Sequence, residues 1–572
     1  MYIVNGVLAI LLAANTAFAR EENLRGAELQ ALLKGNNVCE PITSRNDCLS
    51  TANQVCSWCK AGAVPDECVP TSLASGLPKS VFKCEEPAAQ KSVTTAARGN
   101  LSNGILNGGI RTRWKEVFRF GKGLTHTLNG GEVEKDFCDA GSRSLSGFMD
   151  VEGSKFDADG EDKHLFYWFF EKRGMEDVAS VEETQNIPLI VRLTGGPGCY
   201  LALASLTENG LCKVWLDGES TEINPHNWTK TAHMIWLYQP AGVGFSNGAK
   251  EDDKNEEMVR EDAYYFLQSF IQTHPEYASN PLFIVGESYG GHYAPAIAHR
   301  IFLGNQELDK NDSSSTVKQL NLAGVAVGNG MTEPKVQFES FAEMANYNSH
   351  GIKTVSDEAY QRMKDATPQC ITMIEGCNNE LQTGLQEHFH CQAAYQYCMS
   401  SIVNEYYATG LNPYDIRLEC GDNPLCYDFS SVEHFLNLDS TKTTLHVSES
   451  SPAWQTCNNA INKQFTPDWM KGFASEVTTL LEGGIDVLIY AGDLDFVCNY
   501  MGNKAWTTEL EWEHQSEFAE AEDHHWNNES GMAKTAKGLT FIQVYDAGHM
   551  VPSDQPEVAL DMIKSFTAGA QF

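Results

Sequence analysis

Short apolar runs recur along the chain from about residue 136, at 165–170, 187–193, 234–238, 282–285, 322–327, 487–490 and 541–545. They lack the apolar-polar alternation of a strand with one wet face, and so predict strands buried on both faces. Several lead into glycine-containing turns and then helix-like stretches, the rhythm of a mostly parallel sheet flanked by helices. Between residues 334 and 453 that rhythm lapses, and Cys370, Cys377, Cys391, Cys398, Cys420 and Cys426 fall there. We read this segment as a disulfide-tied insertion capping the sheet.

The chain before about residue 136 has a different texture. Residues 1–19 carry an apolar stretch at 7–14 and end in Ala17-Phe18-Ala19, a small-x-small pattern that predicts a cleaved signal peptide, although no Lys or Arg precedes it. After a short segment at 20–38, six cysteines fall between Cys39 and Cys84 with few aliphatics around them, so residues 39–85 need bridges to fold. In an oxidising compartment disulfides outrank zinc as the reading of Cys56-Ser57-Trp58-Cys59. Residues 86–114, rich in Ala, Ser, Thr, Gly and Asn, read as a linker, and 115–572 as the main domain.

Composition narrows the classes. The 572 residues hold 41 Lys and Arg against 76 Asp and Glu, a net charge of −35, which argues against nucleic acid or an anionic membrane surface as partner. A hydrophobic content of 42% supports a large core and excludes a disordered or collagenous chain. No run after the leader approaches the about 18 apolar residues of a membrane span. The 17 cysteines imply disulfides and leave at least one thiol over. Sequons at Asn100, Asn227, Asn311 and Asn528 fit the secretory pathway, ending outside the cell or in a vacuole or lysosome.

The candidate chemistry lies just beyond the apolar runs. Leu282-Phe283-Ile284-Val285 enters Gly286-Glu287-Ser288-Tyr289-Gly290, a G-x-S-x-G elbow that lifts a serine hydroxyl clear of a sheet at a helix start. Such a serine needs a base, and the base a carboxylate, each on a loop after a later strand. The run at 487–490 leads to Asp493 and Asp495, and that at 541–545 leads to His549. A developing oxyanion needs backbone donors, one from Tyr289 and one from a glycine loop, for which Thr194-Gly195-Gly196-Pro197-Gly198-Cys199 follows the run at 187–193. No G-K-[ST] follows that loop, which disfavours a phosphate site.

These blocks, with Gln239-Pro240-Ala241-Gly242-Val243-Gly244-Phe245-Ser246, Gly328-Asn329-Gly330, Asn412-Pro413-Tyr414-Asp415-Ile416-Arg417 and His549-Met550-Val551-Pro552, resemble the signature blocks of the serine carboxypeptidases from about residue 115 to the C-terminus. The resemblance implies an α/β-hydrolase fold with a cap insertion and a small Cys-rich N-terminal module, acting on peptide C-termini in acid without metal or other cofactor. It implies Ser288 as nucleophile, His549 as base and then acid, Asp495 as its orienter, and Gly196 and Tyr289 as the oxyanion amides. Thr194, Gly195, Glu208 and Glu287 would hold the substrate's terminal carboxylate, with one proton shared between the two glutamates. Cys199 would pair with Cys457, and Cys498 would be a free thiol near the site, as Met550 would be a neighbour. The N-terminal Cys-x-Trp-Cys core resembles a plexin-semaphorin-integrin type module.

Two departures from the family pattern matter. Arg192-Leu193-Thr194 replaces Trp-Leu-Asn, and Tyr200-Leu201 replaces Ser-Ser. Threonine at that position also occurs in relatives that act as acyltransferases, so an alcohol or amine acceptor is an alternative to water. Arg192 either adds charge to the carboxylate site or pairs with a surface acid, and the surface pairing is our expectation. A non-catalytic secreted binding protein is the third reading, against which an ordered Ser, Asp and His argue. A homodimer stays open.

Overall fold

The computed structural model describes residues 128–572 apart from 135–136, 139–140, 152–162, 176–180, 194, 200–203, 248–252, 309–316, 380–384, 424, 448–450 and 571, and before them only 56–61, 64–70 and 83–85. The leader, the linker, Asn100, Asn311 and Thr194 lie outside the described residues. The chain divides between Glu116 and Val117 into two compact units. In the first, β1 (Cys56–Ala61), β2 (Val64–Pro70) and β3 (Lys83–Glu85) form an antiparallel sheet in the order β2-β1-β3, whose register sets Cys59 opposite Cys84 and Trp58 opposite Cys68.

The second unit is built on β4 (Leu128–Glu132), β5 (Ser144–Val151), β6 (Lys163–Phe170), β7 (Leu189–Arg192), β10 (His233–Leu237), β11 (Leu282–Glu287), β12 (Leu322–Gly328), β13 (Asp486–Gly492), β14 (His524–Trp526), β15 (Gly531–Ala536) and β16 (Leu539–Val544). A separate small hairpin joins β8 (Cys212–Val214) to β9 (Thr221–Ile223). The large sheet has 11 strands in the order β14-β15-β16-β13-β12-β11-β7-β10-β6-β5-β4. Its centre, from β10 through β7, β11, β12 and β13 to β16, is parallel. Both flanks are antiparallel. Every residue of β7, β10 and β11 is buried, as unbroken apolar runs demand of strands covered on both faces.

All the apolar runs listed above fall on strands of this sheet. The flanking β4, β5, β14 and β15 give no unbroken apolar run, because Ser, Gly, His, Lys and Thr interrupt their apolar residues, although β5 is buried from Ser144 to Met149 and only β4 and β14 are edges. The helices Glu256–Thr273 and Gly290–Leu308 flank the sheet, and Asn255 caps the first of them by accepting from the Met258 amide at 3.0 Å. In the segment 334–453 the helices Asp357–Cys377 and Leu385–Cys398 are tied by Cys370–Cys398 and Cys377–Cys391, with Cys420–Cys426 beyond them. This segment has its own apolar cluster, in which Met363, Ile374, Ile402 and Tyr406 join Leu494, Phe496 and Cys498 from the loop after β13.

Asn227 departs from the sequence reading. It is fully buried, its Nδ2 donates to the Asn224 carbonyl at 2.6 Å, and its Oδ1 accepts from the Thr229 hydroxyl. The Asn227 amide is thus engaged in a buried turn, whereas Asn528 is exposed.

Gly291 tests how tightly the elbow is built. A Cβ there would stand 2.7 Å from the Met331 amide nitrogen, which donates to the Ser288 carbonyl at 3.0 Å. Gly291→Ala is expected to lose about 2 kcal/mol in a denaturant titration, although alanine suits a helix better than glycine. An unchanged midpoint would show that this approach yields.

Candidate active site

Ser288 sits between β11 and the helix Gly290–Leu308 with φ of 60°, a left-handed conformation that a non-glycine residue adopts only under constraint. The constraint is visible: its amide donates to the Gly328 carbonyl at 3.1 Å, and its carbonyl accepts from Gly291 and Met331. Gly195 packs directly against this turn, so that a Cβ on it would come within 2.8 Å of Ser288 Oγ and collide with the Tyr289 amide. Gly196, with φ of 118°, continues the loop. The loop is pinned from outside by the Cys199–Cys457 disulfide, by the Asn458 amide donating to the Gly198 carbonyl at 2.8 Å, and by Asn462 Nδ2 donating to the Pro197 carbonyl at 3.1 Å. Bare amides are thereby held beside the serine hydroxyl, as an oxyanion site requires.

His549 and Asp495 come from loops after β16 and β13. His549 Nδ1 lies 2.7 Å from Asp495 Oδ2, and both residues are buried. Asp495 also accepts from Asn329 Nδ2 at 2.9 Å and from the amides of Val497 and Cys498 at 3.0 and 3.3 Å. Burial alone would push the imidazole down, but the charge and hydrogen bond of Asp495 outweigh it and hold His549 above its ordinary value. The other acid of the loop, Asp493, faces His350 Nε2 at 2.9 Å instead. Cys498 is a free, buried thiol that burial keeps protonated, and its sulfur lies within 4.8 Å of Asp495 and His549 ligand atoms. Met550, half-buried, precedes the short helix Val551–Asp554.

Glu287, the last residue of β11, and Glu208, from the turn Ala204–Glu208, are buried and hydrogen bonded to each other. Burial, then the charge of Glu287, pushes the Glu208 carboxyl well above its usual range. Arg192 corrects the sequence expectation: it is fully buried, at the end of the central strand β7, and its Nη2 donates to both Glu287 and Glu208, the latter at 3.4 Å. A side chain on a strand between β10 and β11 has no surface to reach, so its acids had to be internal.

Sequence reasoning gave no role to Asn329, which aims Asp495 and accepts from the Gly492 amide at 3.0 Å, so stitching the ends of β12 and β13. Its φ of 40° and its place between two glycines just after a strand were the available signal. Tyr414 was also unassigned: its carbonyl accepts from the His549 amide at 2.8 Å, and its ring lies 5.1 Å from the imidazole.

A serine held on a strained elbow, a buried His-Asp pair and glycine-lined amides at the ends of parallel strands define a serine hydrolase of the α/β-hydrolase class. The serine carboxypeptidase family profile matches residues 137–569, and the chain belongs to that family. It is therefore a hydrolase of the exopeptidase kind. It is 38% identical over 443 residues to carboxypeptidase Y of Schizosaccharomyces pombe, covering 75% of this chain and 41% of that protein. Carboxypeptidase Y of Komagataella phaffii is 36% identical over 448 residues, covering 77% of this chain and 78% of the relative. Serine carboxypeptidase 3 of Hordeum vulgare is 36% identical over 414 residues, 71% and 76% of the two chains. The fold resembles the crystal structure of a prohormone-processing carboxypeptidase from Saccharomyces cerevisiae, with a TM-score of 0.61, 24% identity, and coverage of 75% and 92%.

Two substitutions separate the parts of this site. Gly195→Ala puts a methyl group against Ser288 Oγ and the Tyr289 amide, and is expected to slow fluorophosphonate labelling of Ser288 by about 100-fold. Asn329→Ala leaves Ser288 in place but removes one donor from Asp495, and labelling is expected to slow about 10-fold. Equal rates for wild type and both variants would dissociate these contacts from reactivity.

Proposed function

We propose that this protein removes single amino acids from the C-termini of peptides through an acyl-enzyme on Ser288. The observation that carries the reading is adjacency: Glu287, half of a buried carboxyl pair, directly precedes the nucleophile. A neutral Glu208 carboxyl can donate to a substrate carboxylate, and Glu287 and Thr194 with the Gly195 backbone would complete the grip. A chain end held there leaves its last peptide bond over Ser288.

In that complex Ser288 Oγ attacks the carbonyl carbon while His549 takes the hydroxyl proton, and Asp495 stabilises the imidazolium. The amides of Gly196 and Tyr289 receive the oxyanion. As the C–N bond breaks, His549 passes the proton to the departing amino group, and the terminal amino acid leaves. Water, deprotonated by His549, then opens the ester and frees the shortened peptide. Thr194 in the family's asparagine position is the feature that favours an acyltransferase, in which an alcohol or amine replaces this water. Five disulfides among the described residues support passage through the secretory pathway.

Two titrations with opposite signs bound the activity. The His549 base is lost as pH falls through its raised value, and the Glu208 donor is lost as pH rises through its own. Their product peaks midway between the two values, whichever is higher. An N-acyl Phe-Leu free acid is expected to show a bell-shaped kcat/KM, and the same dipeptide as C-terminal amide only the rising limb. Ser288→Ala should release no leucine. Labelling by a fluorophosphonate without release of leucine at any pH would overturn the carboxypeptidase reading and favour the acyltransferase.

A further inference from the structure

Arg192 is a cation with no exposure inside an acid pair. Four hydrogen bonds hold the fork: Nη1 donates to the Leu193 carbonyl at 2.8 Å, Nη2 to Glu208 and Glu287, and Nε to Asn209 at 3.1 Å when that amide turns its oxygen inward. Trp228 covers the guanidinium at 5.8 Å. With no solvent exposure and both Nη2 bonds turned to the acids, Arg192 cannot itself reach a substrate. It acts on substrate only through the two glutamates.

The charge arithmetic of this cluster differs from that of a carboxyl pair alone. A pair holding one proton carries −1 and repels an incoming carboxylate; it becomes neutral only when acid adds a second proton. With Arg192 present the same single proton makes the cluster neutral, and Arg192 contacts Glu287 more closely than Glu208. We propose that Arg192 takes the place of a proton in the grip on the substrate's terminal carboxylate, so that a free C-terminus is held at a pH where a carboxyl pair alone would repel it. This rests on the carboxypeptidase reading above, and makes Arg192 a positioning residue for that reaction.

The other titratable groups facing the cluster are Tyr490 from β13, Asp554 from the helix after His549, His549 itself and Cys498. Tyr490 and Cys498 are pushed up by burial and stay neutral. Asp554 accepts from the Gly548 amide at 2.7 Å, and burial raises its carboxyl. Arg192 is thus the single cation directly bonded to the pair among the described residues.

The test is KM against pH for the N-acyl Phe-Leu free acid, with wild type, Arg192→Met and Arg192→Lys. In wild type, KM is expected to stay level from the acid side until the Glu208 proton is lost. In Arg192→Met, KM is expected to rise at least about tenfold near neutrality and to return toward wild type as pH falls through the ordinary carboxyl range, where a second proton replaces the missing charge. Arg192→Lys, which keeps the cation, should restore the level profile. The effect should fall on KM rather than kcat, and the C-terminal amide of the same dipeptide should show no such pH dependence of KM. A KM that is raised equally at every pH in both variants would mean a packing role and overturn the proposal. If Arg192→Met does not fold, wild type alone decides: a KM that keeps falling through the ordinary carboxyl range shows that a proton is still needed. Wild type that cleaves the amide but not the free acid at any pH would instead overturn the carboxypeptidase reading beneath it.

Discussion

A fully buried carboxylate, Asp495, is the constraint around which this active site is arranged. Burying such a group is costly unless it is well supplied with donors, and here they come from several directions. Asn329 reaches it from the end of β12, the Val497 and Cys498 amides from its own loop, and His549 from beyond β16. Asn329 and His549 follow the carboxyl ends of the parallel strands on either side of β13, so satisfying one charge fixes the relative placement of three loops. Ser288 joins the same lattice by donating its amide hydrogen to the carbonyl of Gly328, the residue before Asn329. The strained serine is therefore held by the same strand ends that hold Asp495 and His549.

The insertion closes this arrangement rather than merely covering it. Pro413 accepts from the Phe496 and Val497 amides, Tyr414 accepts from His549, and the Ile416 amide donates to Leu494. One segment thus laces the acid loop to the base loop, while Asp415 and Arg417 pair beside it at 2.7 Å. The apolar cluster of the insertion includes Leu494, Phe496 and Cys498, so its packing is continuous with the backbone that carries Asp495. A segment that looked in sequence like a separate cap is structurally part of the catalytic support.

Much of the site was legible in the sequence because its chemistry demands particular residues at strand ends. A serine between glycines, an acid and a histidine after later apolar runs, and a glycine loop after an earlier one each carry a local signature. What could not be read was mutual. Asn329 is visible as a strand-ending Asn between glycines, but that it aims Asp495 depends on β12 and β13 being neighbours, which local pattern does not state. Asn227 matched a glycosylation pattern whose meaning depends on exposure, and in the fold both its amide and the threonine hydroxyl are spent on a turn.

Arg192 shows the same limit in its strongest form, and the physics of the error explains the site. An arginine is ordinarily exposed, so a surface partner was the natural expectation. Its position at the end of a strand flanked by β10 and β11 removes that option, and an arginine that cannot reach water must find internal acids or unfold the strand. The acids it finds are Glu208 and Glu287, which meet at the end of β11. Neither partner is free to change alone: removing the arginine leaves a lone carboxyl pair beside the nucleophile, and removing the pair leaves a buried cation. The departure of Arg192 from the family pattern is for this reason a change in the electrostatics of the buried acid pair beside Ser288, made from beneath it by a residue with no exposure of its own.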